Sequence, residues 1–233
     1  MRDSSDELIK RYINQRIESG EPGVWYDKDP GESCSSPVAE LESLRGELRE
    51  CRACPLGETR LNPCFGNGSF SAGIMFIGEG PGFEEDHRGE VFVGRAGKLL
   101  DRIIDTMLGM SREDVFITNI VKCHPMKDPS DPEKRGNDRP PAPEELSVCI
   151  ERFLYRQIEL IRPGVIVTLG APASKTILGS GEGITSLRGK PRRMSFKSHQ
   201  AIVVPTYHPA YLLRSPSKKR DVFEDFKLIR SLL

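Results

Sequence analysis

Short, continuous apolar runs alternate with amphipathic ones along most of the chain. Residues 73–78 (GIMFIG), 115–122 (VFITNIVK), 165–170 (VIVTLG) and 201–207 (AIVVPTY) are apolar without alternation, as strands buried on both faces are. Helical spacing fills 96–108, 143–161, 172–178 and 221–233, and begins at Ala39 in AELESLRGELRE. That order predicts an α/β fold: a three-layer α/β/α arrangement with a central, mostly parallel four-stranded sheet. In open sheets of this kind the chemistry sits just beyond the carboxyl ends of the strands.

Outside this pattern, Ser4-x-x-Glu7 reads as a capping box, and Leu8, Tyr12, Ile13 and Ile17 follow at helical spacing. Residues 20–37 mix Gly, Pro, Ser and charge with neither period and read as a linker. We therefore expect an appendage over 1–38 and one domain over 39–233. MKDPSDPEKRGNDRPPAP, residues 126–143, reads as an exposed loop. No stretch approaches a membrane span, and the opening residues contain no apolar signal core, so a cytoplasmic protein is expected; we also expect a monomer.

Net charge is zero, but the distribution is uneven. Residues 1–50 carry 7 basic and 12 acidic side chains, whereas residues 186–233 carry 11 and 3. Screening confines a charged surface's field to about 10 Å, so this basic tail can attract a polyanion although the molecule is neutral. A merely solvated basic face remains the alternative.

Six cysteines in a cytoplasmic chain call for metal binding, redox chemistry or packing rather than disulfides. Cys51-x-x-Cys54 suits two thiolates on one metal, and Cys123 and Cys149 complete a four-thiolate site if the fold brings them together. Such a set takes zinc or an iron-sulfur cluster. Cys34 and Cys64 are left over, with Cys64 the next candidate ligand.

After the first strand, Gly78-Glu79-Gly80-Pro81-Gly82 lacks the third glycine of a dinucleotide fingerprint, and Pro81 removes a phosphate-binding N–H. The segment instead presents Glu79 at the carboxyl end of the sheet.

GEGPGFEEDHRGEVFVGRAGKLLD resembles the first motif of the family 4 uracil-DNA glycosylases, the iron-sulfur branch of that superfamily. The resemblance runs from about Leu41 to Leu233 through CRACPLGETR, TNIVKCHP, ELSVC, VTLGAPA and TYHPAYLLR. The chain departs from the pattern at Val91, where Pro is expected, at His124, where Arg is common, and in its longer 126–143 loop. The resemblance implies a [4Fe-4S] cluster on Cys51, Cys54, Cys123 and Cys149, and a DNA partner carrying uracil, single- or double-stranded. It implies that Glu79 positions water and His208 stabilises the departing base. Phe92 would stack on uracil, Asn119 would read its N3–H and O4, Gly80 and Gly82 would offer N–H groups, and Glu85 would line the pocket near C5. Tyr211, Leu212, Leu213 and Arg214 would enter the minor groove, with Arg192, Arg193 and Lys219 on phosphates. His87, His124 and His199 read as surface or loop residues.

The implied activity is hydrolysis of the N-glycosidic bond of flipped deoxyuridine to leave an abasic site. The competing readings are a glycosylase for other deaminated bases, such as hypoxanthine or xanthine, and a module that binds uracil or DNA without turnover.

Overall fold

The structure, a computed structural model, describes residues 36–233, so the helix expected from Ser4, the linker up to residue 35 and Cys34 lie outside the described residues. The first described helix, α1 (Pro37–Glu50), starts two residues before Ala39, because the Ser36 side chain accepts from the Ala39 N–H at 3.2 Å and Pro37 is preset for the first turn. A short helix, α2 (Leu56–Thr59), follows.

Six strands form one sheet: β1 (Asn67–Gly68), β2 (Ile74–Gly78), β3 (Phe116–Asn119), β4 (Val165–Leu169), β5 (Arg192–Ser195) and β6 (Gln200–Thr206), in the order β1-β3-β2-β4-β6-β5. The four expected strands are its parallel interior. The expectation of four strands is corrected by two antiparallel edges. A two-residue strand leaves no periodic signal, and β5, RRMS, is too polar to read as a buried strand.

Alternate residues of the interior strands enter different cores. Met75, Ile77 and Phe116 pack with Leu41, Leu44 and Leu48 of α1 and with Phe153 and Ile158 of the helical run α5 (Pro143–Cys149), a π turn (Ile150–Leu154) and α6 (Tyr155–Ile161). Ile74, Phe76 and Ile117 pack on the other face. There a short helix, α3 (Phe83–Arg88), precedes α4 (Arg95–Leu108), which contributes Leu99, Leu100 and Ile104. After β4 come α7 (Gly170–Leu178) and α8 (Ile184–Leu187), and after β6 come α9 (Pro209–Arg214) and α10 (Lys219–Arg230). Phe226 of α10 stacks on Phe76 with centroids 6.1 Å apart. These two faces complete the expected three layers. No helix of the described residues is long and apolar enough to cross a membrane.

Residues 126–143 are not simply an exposed loop. Met126 and Asn137 are buried, and the Asn137 amide binds the carbonyls of Asp128 and Asp131 at 2.7 and 3.0 Å. Met126 bridges Asp138, returning the segment to the carboxyl end of the sheet. Arg139 then grips Glu145 of α5 through both guanidinium nitrogens, at 2.8 and 2.7 Å.

Candidate active site

β3 and β4 flank β2 on opposite sides, so the chain turns away in opposite directions there, and a cavity of about 290 Å³ opens at that end of the sheet. Glu79, Gly80, Gly82, Glu85, Phe92, Asn119 and His208 all line it. A neighbouring cavity of about 670 Å³ shares Glu79 and His208 and adds Tyr211 and Arg214.

Register explains why these side chains meet. Gly78 is the strand partner of Asn119, and both end their strands. A Cβ on Gly78 would lie 2.3 Å from Asn119 Oδ1 and 2.6 Å from the Phe92 ring, so only glycine lets the amide and the ring close on each other. The Asn119 side chain is buried, and its Oδ1 has no hydrogen-bond partner. An unpartnered buried acceptor costs about 1–3 kcal/mol, and a ligand donor in the cavity would relieve it.

Phe92 sits in the left-handed region at φ 53°, a conformation that a bulky residue holds only when its surroundings enforce it. Glu85 Oε1 accepts from the N–H groups of Val93 and Gly94, each at 3.0 Å. Arg112, paired with Asp101 at 2.8 Å, donates to the carbonyls of Val91 and Phe92. Gly97 of α4 lies beneath, where a Cβ would stand 1.7 Å from the Phe92 carbonyl oxygen. Glu85 thus lines the cavity while anchoring the loop that carries Phe92.

His208 caps α9, and its Nδ1 accepts from the Ala210 N–H at 3.1 Å, so the neutral ring carries its proton on Nε2. Burial, reinforced by the Arg214 charge, pulls its pKa down to about 4, which keeps the ring neutral. Burial pushes the Glu79 carboxyl up from 4.5. A carboxylate with spare proton affinity and a neutral donor therefore share one cavity.

The cysteines sort by layer. Cys123 and Cys149 lie in the core on the α1 side and half-buried Cys51 and Cys54 pack against it, whereas buried Cys64 belongs to the core of the other face and donates to the Glu85 carbonyl at 3.2 Å. Among the described residues, no three metal-binding side chains form a ready-made cage. Burial pushes Cys123 up to about 11 and Cys149 to about 12, with Cys54 acting electrostatically on both. Arg60 donates to Cys123 Sγ at 3.1 Å, while its other arm binds the carbonyls of Leu48 and Arg49. Burial pulls Lys122 down to about 8, against the opposing pull of Cys149, Cys123 and Cys64. Four free thiols beside two cations, with no carboxylate among them, fit a net-negative metal–thiolate group.

The Uracil DNA glycosylase superfamily model matches residues 65–227. The chain is 43% identical over 196 residues to a type-4 uracil-DNA glycosylase of Sulfurisphaera tokodaii, an alignment covering 82% of this chain and 84% of that one. It is 42% identical to the type-4 enzymes of Saccharolobus solfataricus and Thermotoga maritima, each over 83% of this chain and 86% and 94% of theirs. The chain belongs to the type-4 uracil-DNA glycosylases.

Two expectations from the sequence are revised, His124 being in a loop as expected but not at the surface. Leu212 is only 1% exposed and packs with Val222 and Phe226, so it cannot wedge into DNA; Leu213 is the exposed apolar residue of α9. His124 is not a surface residue but is 1% exposed, with Nε2 2.8 Å from Asp138 Oδ1 and Nδ1 3.5 Å from Asp86. Burial lowers its pKa, and these two carboxylates more than compensate, lifting it to about 9. His87, between the Phe83 carbonyl and Glu133, and His199, against the Pro163 carbonyl, stand apart from the cavity. Arg192, Arg193, Arg214 and Lys219 are exposed, and Arg192 also meets Glu182 at 3.3 Å.

Sequence reasoning missed Asp138, which lines both cavities, together with Arg112, Arg60 and Lys122. An isolated Arg, Lys or Asp leaves no periodic signal, and each has a partner 11 or more positions away.

Proposed function

We propose that this chain is a monofunctional uracil-DNA glycosylase, hydrolysing the N-glycosidic bond of a deoxyuridine flipped out of DNA and leaving an abasic site. The buried, unpartnered Oδ1 of Asn119 carries this reading, because uracil offers N3–H to that acceptor and O4 to the amide, a pattern that cytosine reverses. Phe92 supplies the stacking surface.

As the C1′–N1 bond breaks, negative charge gathers on uracil O2 and N1. Nε2–H of neutral His208 donates to O2, with the N–H groups of Gly80 and Gly82 in support. Glu79 accepts a hydrogen bond from the attacking water, favours the cationic sugar and takes the water's proton as oxygen bonds to C1′. A carboxyl whose pKa burial has raised suits that receipt.

Cys51, Cys54, Cys123 and Cys149 would hold a [4Fe-4S] cluster that ties α1 and α5 to the end of β3. Hydrolysis needs no electron transfer, so the contribution of that group is structural. Tyr211, Leu213 and Arg214 are assigned to the minor groove, and Arg192, Arg193 and Lys219 to phosphates. Glu85 acts by holding the Phe92 loop. Residues 1–38 are read as an appendage to a domain over 39–233, which contains the whole family match. We read the chain as a monomer and place it in the cytoplasm.

The test offers the chain oligonucleotides carrying uracil, hypoxanthine, xanthine or cytosine at one position and separates the released bases. Free uracil alone is expected. Release of hypoxanthine or xanthine at a comparable rate would favour the broader glycosylase, and binding without release would favour a non-catalytic module.

A further inference from the structure

Lys122 is completely buried, and its ammonium spends all three donors on neutral acceptors: Thr118 Oγ1 at 2.7 Å, the Asn119 main-chain carbonyl at 2.6 Å and Gln157 Oε1 at 2.7 Å. Gln157 belongs to the helical run that carries Cys149, and its amide reaches the Phe65 carbonyl at 2.8 Å. Thr118 reaches the same carbonyl at 2.9 Å. The network therefore joins the helix of one proposed cluster ligand to the end of β3, where the base is read.

A cation in a dry interior requires a compensating charge. Among the described residues no carboxylate pairs with Lys122, and the proposed ligand Cys123 follows it directly in the chain. Cys149 also interacts with the Lys122 main-chain N–H. Resting on the cluster and the role of Asn119 given above, we propose that Lys122 is a positioning residue for base recognition. It fixes Asn119 through the main-chain carbonyl and takes the anionic metal–thiolate group on Cys123 and Cys149 as its counter-charge.

The experiment compares the holoprotein with Lys122→Met, Asn119→Ala and the double variant, reading iron content, the cluster's midpoint potential and single-turnover uracil release. Lys122→Met should keep its iron, shift the potential to more negative values because a nearby positive charge is gone, and slow release about tenfold. In the Asn119→Ala background, where no side chain remains to position, the same change should cost less than about twofold.

An unchanged potential with full iron would overturn the counter-charge, and a tenfold loss that persists without the Asn119 side chain would overturn the positioning role. If Lys122→Met does not fold, Thr118→Val removes one acceptor and keeps the lysine. Its rate loss should also vanish in the Asn119→Ala background, and a loss that persists there overturns the role. Absence of iron from the parent chain would instead overturn the cluster assignment itself.

Discussion

The ring of Phe92 lies 5.6 Å from that of His208, inclined by only 29°, although the two residues are 116 positions apart. The residues proposed as stacking surface and leaving-group donor thus share one wall of the cavity. Asn119 meets Phe92 across Gly78, so the same packing fixes the side chain proposed to read the base.

That dependence on Gly78 gives a first expected outcome. Gly78→Ala drives a methyl into both Asn119 Oδ1 and the Phe92 ring, and misplacement by about 1 Å should slow single-turnover uracil release by about 10²-fold. Far-UV circular dichroism should stay close to the parent's, and an unchanged rate would mean that the pocket wall does not need this closeness.

Burial at Glu79 also has a thermodynamic consequence. Its carboxyl binds a proton more tightly in the native chain than in the unfolded one, so the native state loses stability as pH rises above about 4.5. Glu79→Gln should therefore raise Tm at pH 7, and the gain should shrink as pH is lowered through the carboxylate range. His208 has the opposite sign: its contribution is lost as pH falls from 6.5 towards about 4. Thermal melts of the parent, Glu79→Gln and His208→Ala across that window check both slopes.

For the cysteines, the anaerobically purified chain should be brown with about four irons. Cys51→Ser or Cys149→Ser should bleach it, whereas Cys64→Ser, in the core of the other face, should keep full iron. Iron lost on replacing Cys64 alone would move the fourth ligand there.

Much of this arrangement was legible in the sequence, because buried parallel strands are written as unbroken apolar runs and the site residues follow directly after them. Glu79, Asn119 and His208 stand at such strand ends. The edges were not legible, since β5 is polar and β1 has two residues. The π turn after Cys149 was hidden inside one helical period. Leu212 and Leu213 are adjacent leucines that only the packing of α9 on α4 tells apart. His124 does lie in a loop, but its burial was not legible because its partners, Asp86 and Asp138, are remote in sequence.

The two leucines can be separated experimentally. Leu212→Ala should destabilise the fold by about 2–5 kcal/mol in denaturant unfolding, whereas Leu213→Ala should leave stability near the parent's and slow release from duplex more than from single-stranded DNA. Substituting Arg192, Arg193 and Lys219 together should flatten the salt dependence of DNA binding without changing base preference. An unchanged slope would mean that this face is only solvated.

In the proposed reaction Glu79 acts on the water and the sugar of a nucleotide whose base the rest of the pocket already holds. Single-turnover release from a uracil-containing duplex by the parent and by Glu79→Gln tests it most directly, with DNA binding measured alongside. The parent should free uracil and leave a strand that breaks only on alkaline treatment, and Glu79→Gln should bind the same duplex while releasing uracil at least about 10²-fold more slowly. Release by Glu79→Gln at the parental rate would contradict the account.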